Sequence, residues 1–246
     1  MDKVNKSKTW LVVVLFILII LISGYIIFVK ATSKSDNKKE IIDISKNSNT
    51  VTELSLSNPK VIDLLNLVDD NEIEYQLYKN ANKILSWDTK SLITTKEIMK
   101  NTQADEELNF IDKDRFDSKF KSIFGTLRND RSKSNLCNSS SYNSEYDNYQ
   151  VNYFCTSNNS LKLNTYLKNV TVKGDFININ KYYLFTSEYN SLYDIYASDK
   201  KDERNLVAVE VAGDEISKHI LYKNEISYVF RKGKGNNYYL YKSTIE

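Results

Sequence analysis

The sequence has one histidine, two cysteines, one proline and six glycines among 246 residues. A histidine-based metal site needs several imidazoles, and an iron–sulfur cluster needs about four thiolates, so neither kind of centre is expected. The phosphate-binding patterns G-x-x-x-x-G-K-[ST] and G-x-G-x-x-G do not occur. We therefore expect no cofactor, no metal and no catalytic residue, and a protein that is not an enzyme.

The most pronounced feature is an uncharged apolar run at residues 10–29. Twenty helical residues at about 1.5 Å each span the ~30 Å hydrocarbon core of a bilayer. Trp10 opens the run and Tyr25 lies near its end, where amphipathic rings favour the membrane interface. The sequence predicts a cytoplasmic tail at residues 1–9, a transmembrane helix at 10–29 that contacts the lipid bilayer, and an extracellular chain after it.

The orientation of this segment rests on the short tail, which is typical of a signal-anchor. Lysines flank the run on both sides, three before it and four between residues 30 and 39, so the charge balance does not decide the orientation. A cleaved signal peptide is the alternative, because Val29 and Ala31 fit the recognition positions before a cleavage site. The apolar run is, however, longer than the about 7–15 residues of a signal-peptide core.

Charge beyond the tail is balanced. The first nine residues hold three of the 34 basic and one of the 32 acidic residues, which leaves 31 of each. A nucleic-acid-binding domain would carry a basic field, so nucleic acid is not an expected partner.

Three helices are predicted after a spacer. Residues 30–57 are rich in Ser, Asn, Thr and Lys, which predicts a flexible spacer. Asn58 followed by Pro59 predicts a helix start, and the acidic residues from position 69 predict its end. A second helix is expected at residues 89–100. The third begins at Asp112 or Asp114 and ends at Gly125.

The third helix has the clearest amphipathic pattern after the anchor. Its apolar stripe consists of Phe116, Phe120, Ile123 and Phe124. Such a stripe must be covered, so we expect it to pack on the first helix and on the strands between residues 149 and 185.

Strands dominate the remainder. Residues 75–85 fit either a strand or a loop, and 132–148 fit a polar loop. Period-two alternation then predicts strands at residues 149–155, 161–172, 176–185, 192–197, 206–211, 226–232 and 238–243, with a hairpin across 233–237. Helices followed by strands predict an α+β extracellular domain at 58–246, with about three N-terminal helices packed on an antiparallel β-sheet.

Cys137 and Cys155 are the two thiols, and both lie outside the membrane in the predicted topology. An even count in an oxidising compartment favours a disulfide between them. The bridge would close a 19-residue loop and add about 3 kcal/mol of stability in the chain-entropy model. A C-x-x-C redox site is excluded by the spacing.

Acidic clusters do not match a calcium loop. The first cluster consists of Asp112, Asp114 and Asp117. If Asp112 is the first position of a calcium loop, Phe116 occupies the fifth, where an oxygen ligand is needed, and Asp117 occupies the sixth, where glycine is needed. The run at residues 69–72 fails in the same way, because Ile73 occupies a ligand position. Structural roles at helix ends are the better interpretation.

Three further groups of residues are candidate sites. His219 near Ser217 could act as a general base, but there is no G-x-S-x-G pattern, and a structural histidine is the better interpretation. The tip of the last hairpin carries three basic residues, Arg231, Lys232 and Lys234. This tip could contact an anionic partner, or it could be a solvated turn. The last strands contain five tyrosines, Tyr222, Tyr228, Tyr238, Tyr239 and Tyr241. They could form a stacking platform, although the alternation of a strand places about half of them in the core.

The order of tail, single span, spacer, helices and antiparallel sheet resembles the membrane-anchored NTF2-like scaffolds of bacterial secretion and conjugation machines. That resemblance implies a scaffold subunit. The sequence itself favours a single-pass, membrane-anchored extracellular protein of the cell envelope, with a non-enzymatic binding or scaffold role toward a protein or envelope partner. A cell-surface hydrolase acting on wall or polysaccharide is the alternative, because the spacing of two carboxylates depends on the fold.

Overall fold

A computed structural model of the chain describes residues 50–100, 102, 108–127, 133–153 and 161–245. These residues have an α+β fold, and their elements belong to one unit, Asn47–Glu246. The described helices are α1 (Pro59–Val68), α2 (Asn71–Lys79), α3 (Trp87–Met99) and α4 (Lys113–Phe124). The described strands are β1 (Thr52–Glu53), β2 (Phe110–Asp112), β3 (Ser140–Asn143), β4 (Asn148–Val151), β5 (Lys162–Lys173), β6 (Phe176–Tyr189), β7 (Leu192–Tyr196), β8 (Leu206–Ala212), β9 (Glu225–Lys232) and β10 (Tyr238–Ile245).

The strands form two antiparallel sheets. In the large sheet the order is β1-β5-β6-β7-β8, and β9 pairs with the first half of β6 while β10 pairs with β9. β6 is therefore the central strand, with β5 on one side and β9 followed by β7 on the other. The small sheet has the order β2-β4-β3. The predicted α+β class with an antiparallel sheet is confirmed.

Side-chain caps begin α1 and α2, whereas Asp112 precedes α4 without a side-chain cap hydrogen bond. The Asn58 side chain accepts the Lys60 N–H at 2.9 Å, as predicted from the Asn-Pro pair. Asp70 accepts the N–H groups of Glu72 and Ile73 at 3.0 and 3.1 Å and so begins a helix that was not predicted. The interpretation of residues 75–85 as strand or loop was wrong for the part that lies in α2.

The predicted polar loop at 132–148 also contains structure. β3 lies within it and pairs with β4 through Tyr142 and Tyr149. The strand expected at 149–155 begins one residue earlier and ends at Val151, and residues 154–160 lie outside the described residues. The later strands lie where they were predicted, with β6 extending to Tyr189.

The predicted tail at 1–9 and membrane span at 10–29 lie outside the described residues. Among the helices that the structure does describe, none has the length and apolar character needed to cross a bilayer. Part of the predicted spacer is paired, because Thr52 and Glu53 lie opposite Val172 and Thr171 on β5. The ordered domain therefore begins before Asn58, and the remaining spacer residues 30–49 are not described.

Three of the four residues of the α4 stripe are buried, as predicted, and Phe124 is partly exposed. Phe116, Phe120 and Ile123 are all at most 5% exposed. The stripe packs on α3 and the small sheet: the Phe116 ring stacks on Tyr149 with centroids 3.8 Å apart, and Trp87 lies 5.7 Å from Phe120. The expected packing on strands after residue 149 holds only at β4, through Tyr149. The first helix, β5 and β6 were also expected as partners, but they are not among the elements with which α4 has its main contacts. The contact of α4 with β10 was not predicted.

Candidate functional site

The acidic clusters have structural roles in the fold. Asp70 caps α2 and accepts two hydrogen bonds of 3.0 Å from the Lys96 ammonium. Burial opposes ionisation of Asp70, but the Ile73 N–H and Lys96 hold the pKa of its carboxyl below the usual value. Asp117 accepts a hydrogen bond from the Tyr149 hydroxyl at 3.0 Å. Within the described ranges, no group of three or more His, Cys, Asp or Glu side chains is placed to hold a metal ion.

His219 closes a 3₁₀ helix, Gly213–His219, that covers one face of β7 and β8. It is partly exposed, and its charged neighbour Glu215 bonds to Lys218. Ser217 is exposed, and its backbone carbonyl accepts the N–H of Ile220. Among the described contacts, His219 has neither a hydroxyl nor a buried carboxylate placed as in a nucleophilic triad.

Cys137 lies in the turn that precedes β3, and it is not a free thiol. The backbone next to it is held by Asn138, whose N–H bonds to the Asn152 carbonyl at 2.8 Å and whose side chain donates to Glu72 at 3.0 Å. Cys155 lies outside the described residues. The pairing of Cys137 with Cys155 therefore stays a prediction.

The tyrosines of the last strands do not share one face. Tyr228 and Tyr238 are buried, whereas Tyr222 and Tyr241 are exposed. At the basic hairpin, the Arg231 guanidinium lies 6.0 Å from the centre of the Tyr241 ring. The five side chains therefore do not form a shared stacking platform.

A buried ionic cluster joins α2 to the large sheet. The Lys181 ammonium lies 2.6 Å from Glu74 and 3.1 Å from Asp69, and the Lys181 and Glu74 side chains are 5% and 4% exposed. The Thr165 hydroxyl donates to the Glu74 carboxylate at 2.8 Å. Burial raises the pKa of Glu74, against the opposing effect of Lys181.

Tyr228 completes the cluster from β9. Its ring centre lies 5.9 Å from the Lys181 ammonium, and burial beside Glu74 raises the pKa of Tyr228 well above its ordinary value. Perturbed groups of this kind occur at active sites and in structural ion pairs alike. Here the carboxylate and ammonium are enclosed, so a polymer substrate has no access to them. The cluster holds the helices to the sheet.

A shallow groove of about 280 Å³ runs between α1, α4 and the β9–β10 hairpin. Its floor includes Tyr238 and Tyr239, and the Lys60 ammonium lies 5.8 Å from the Tyr238 ring centre. Asp63 and Glu97 line the same groove, so its walls carry both signs of charge. This mixture defines no single ligand chemistry.

The most distinctive surface is the edge strand β8. Its side chains are apolar yet exposed: Leu206 is 38%, Val207 36% and Val209 57% accessible. On the neighbouring strand, Leu192 is 39% exposed. Only Val211 and Ala208 of β8 face inward, against Ile216 of the 3₁₀ helix. Within the described ranges the sheet ends at β8, so its outer backbone groups have no neighbouring strand.

The sequence pattern predicted that β8 is a strand, but it did not predict that the apolar side chains of β8 are exposed. A run of Leu, Val and Ala normally indicates a buried strand, and its position at the sheet edge depends on the topology. An unpaired apolar edge is a surface on which another strand can pair. We name Leu206, Val207 and Val209 the β8 patch.

No protein-family model, no curated protein and no solved structure matches the chain. The predicted resemblance to NTF2-like scaffolds gains no support from these comparisons.

Proposed function

We propose that the protein is a single-pass, membrane-anchored extracellular binding module that receives a protein partner along β8. The observation that carries this proposal is the β8 patch, three exposed apolar side chains on a strand whose outer edge has no neighbouring strand among the described residues. Soluble monomeric domains usually protect such edges with charges or cover them, since open apolar edges associate. Addition of a partner strand would use main-chain hydrogen bonds for affinity and the patch for specificity.

A binding role fits the remaining observations better than a hydrolase. Glu74, the carboxyl whose pKa is raised by burial, is enclosed and paired with Lys181. His219 lies at the surface at the end of a short 3₁₀ helix. Neither residue offers an open cleft for a polysaccharide, so no observation favours the hydrolase.

The anchor and the orientation are supported by the uncharged run at residues 10–29 and the nine-residue tail. We expect the full-length protein to stay in the membrane pellet after an alkaline carbonate wash. Recovery of a soluble form that begins at Thr32 would indicate a cleaved signal peptide instead.

The binding role is tested by placing a photo-crosslinking amino acid in β8 of the full-length protein. With the probe at Val209, irradiation of intact membranes should give a discrete protein adduct. The matched control carries the probe at Glu53, an exposed residue on the opposite edge of the same sheet. Equal adduct patterns at both positions, or none at Val209, would remove β8 as the binding surface.

A further inference from the structure

We infer that the side chains of Lys181 and Asp69 join in an isopeptide bond, with Glu74 as the proton relay. The inference concerns a covalent modification inside the chain and is independent of the partner proposed at β8. The three groups lie on separate elements: Asp69 ends α1, Glu74 lies on α2 and Lys181 lies on the central strand β6. The bond would tie the helices to the sheet across 112 positions of sequence.

The Lys181 ammonium is held against both carboxylates. Its Nζ lies 3.1 Å from Oδ1 of Asp69 and 2.6 Å from Oε1 of Glu74. The carbon that Nζ would attack, Cγ of Asp69, is bonded to that Oδ1. Groups held about 3–3.5 Å apart in a fixed orientation react as if at a very high local concentration. An amine and a carboxyl that would stay ionised in bulk water can therefore form an amide here.

The backbone fixes the position of Asp69. Its N–H donates to the Leu65 carbonyl at 2.9 Å in the last turn of α1. The next residue, Asp70, accepts two backbone N–H groups at the start of α2. Asp69 thus lies at a short junction between two helices, and the ends of both helices determine where its side chain begins.

Glu74 is placed to move protons between the two reacting groups. Its carboxylate is buried, and the Thr165 hydroxyl lies 2.8 Å from each of its oxygens. Burial raises the pKa of Glu74, so this carboxyl can accept a proton from the ammonium and release it again. The Tyr228 ring, 5.9 Å from the ammonium, shields this transfer from water on the β9 side.

The reaction needs no further reactant. The ammonium gives one proton to Glu74, and the neutral Nζ of Lys181 attacks Cγ of Asp69. A second proton then leaves Nζ, and Glu74 passes both protons to the Asp69 oxygen whose bond to Cγ breaks. One water molecule is released, and the new C–N bond keeps one N–H. Asp69 is 71% exposed, so the water has an open path to solvent.

Burial of charge favours the amide over the ion pair. The Lys181 side chain is only 5% exposed, and enclosing an ammonium costs free energy that its partners do not always repay. Amide formation removes the charges of Lys181 and Asp69 and leaves a neutral N–H beside Glu74. The ion pair of the structure is the state from which the bond forms.

Mass spectrometry of the full-length protein, purified from its membrane and reduced, tests the bond. We expect a mass lower than that of the sequence by one water molecule. Trypsin does not cleave after an acylated lysine, so digestion should release a branched peptide in which residues 61–79 and 174–200 are joined. Fragment spectra should place the branch between Asp69 and Lys181.

Asp69→Ala is the main variant, because its exposed side chain is not part of the core. It should lack the branched peptide and be cleaved after Lys181. The matched control is Asp63→Ala, at an exposed aspartate of the same helix, which should keep the branch. Glu74→Gln removes the relay and should slow bond formation on the order of a hundredfold, as followed by pulse labelling.

The outcomes are distinct from those of the crosslinking test at β8. Cleavage after Lys181 in the folded unmodified protein, with no branched peptide, would overturn the bond and leave the β8 proposal standing. A branch at Glu74 instead of Asp69, or an undiminished branch in Asp69→Ala, would overturn the assigned pair. Equal rates of bond formation in Glu74→Gln and the unmodified protein would overturn Glu74 as the relay.

Discussion

The ammonium of Lys181 on β6 lies 2.6 Å from the carboxylate of Glu74 on α2, and both side chains are almost fully buried. Removing one partner of such a pair leaves the other charge without compensation in a poorly polar site. We expect Lys181→Met to lower the free energy of unfolding by ~3–5 kcal/mol. Urea unfolding of the full-length protein, followed by tryptophan fluorescence, measures the loss.

The double variant Lys181→Met with Glu74→Leu is the matched control. It removes both charges, so it should be less destabilised than Lys181→Met alone. If the double variant loses as much as the sum of the two single changes, the two side chains do not interact as described.

The pH dependence of stability follows from the same carboxyl. Burial raises the folded-state pKa of Glu74 above its unfolded value, and the charge of Asp69 raises it further. Lys181 and the Thr165 hydroxyl lower this pKa, but burial is the larger effect. The folded protein therefore takes up a proton more readily than the unfolded chain, and stability is gained as pH falls from neutral through the folded pKa.

Glu74→Gln removes this contribution. The difference in unfolding free energy between the unmodified protein and Glu74→Gln should shift in favour of the unmodified protein as pH falls toward 4.5, the ordinary pKa of a glutamate. Urea titrations at several pH values measure the difference. A difference that does not change with pH, or that changes in the opposite direction, would show that the Glu74 pKa is not raised by folding.

Phe120 tests the packing of α4. Its buried ring lies 5.7 Å from Trp87 and 4.8 Å from Phe124. Truncation leaves a cavity, so Phe120→Ala should cost ~3–5 kcal/mol. Phe110→Ala is the control, because Phe110 is 52% exposed and should cost under about 1 kcal/mol. An unchanged melting temperature in Phe120→Ala would mean that the stripe is a docking face instead of core.

Gly233 and Gly125 enclose the ring of Tyr239 from two elements. A Cβ on Gly233 would lie 2.0 Å from Cε2 of that ring, and one on Gly125 would lie 2.8 Å from Cδ2. The ring cannot move away from one glycine without meeting the other. Gly233→Ala should therefore cost ~1–3 kcal/mol, as overpacking does.

The clash is specific to Tyr239, which a double-mutant cycle detects. Adding Gly233→Ala to Tyr239→Ala should cost almost nothing further. Gly174→Ala is the comparison, because its backbone has a φ of 55° but no atom lies within 4 Å of an added Cβ; its cost should not depend on Tyr239. Additive costs for Gly233→Ala and Tyr239→Ala would rule out the close approach.

Local signals in the sequence predicted the parts of the fold that local interactions determine. The Asn58 cap and the apolar spacing of Phe116 and Phe120 each appear within one or two helical turns, and the structure confirms both. α2 was missed because acidic residues and tyrosines dilute its apolar periodicity, although Asp70 offered a cap signal.

The remaining differences depend on contacts that are distant in sequence. β3 has a polar sequence, and α3 holds it through Ser91, whose hydroxyl donates to the Ser140 carbonyl at 2.5 Å and accepts the Ser140 N–H at 2.8 Å. The burial of Lys181 depends on α2 crossing the sheet at that point. The exposure of the β8 patch depends on the order of the strands, and sequence periodicity carries no information about which strand lies at an edge.

The central claim is that a strand pairs with the outer edge of β8, and amide hydrogen exchange of β8 tests it most directly. We expect exchange of the amides in Leu206–Ala212 to be slower for full-length protein in its own membrane, where the partner is present, than for the same protein purified in mild detergent. The Val209→Lys variant should show no such slowing, because a charge replaces an apolar side chain at the centre of the patch. Exchange that is equal in the membrane and in detergent, and equal in both proteins, would contradict strand pairing at this edge.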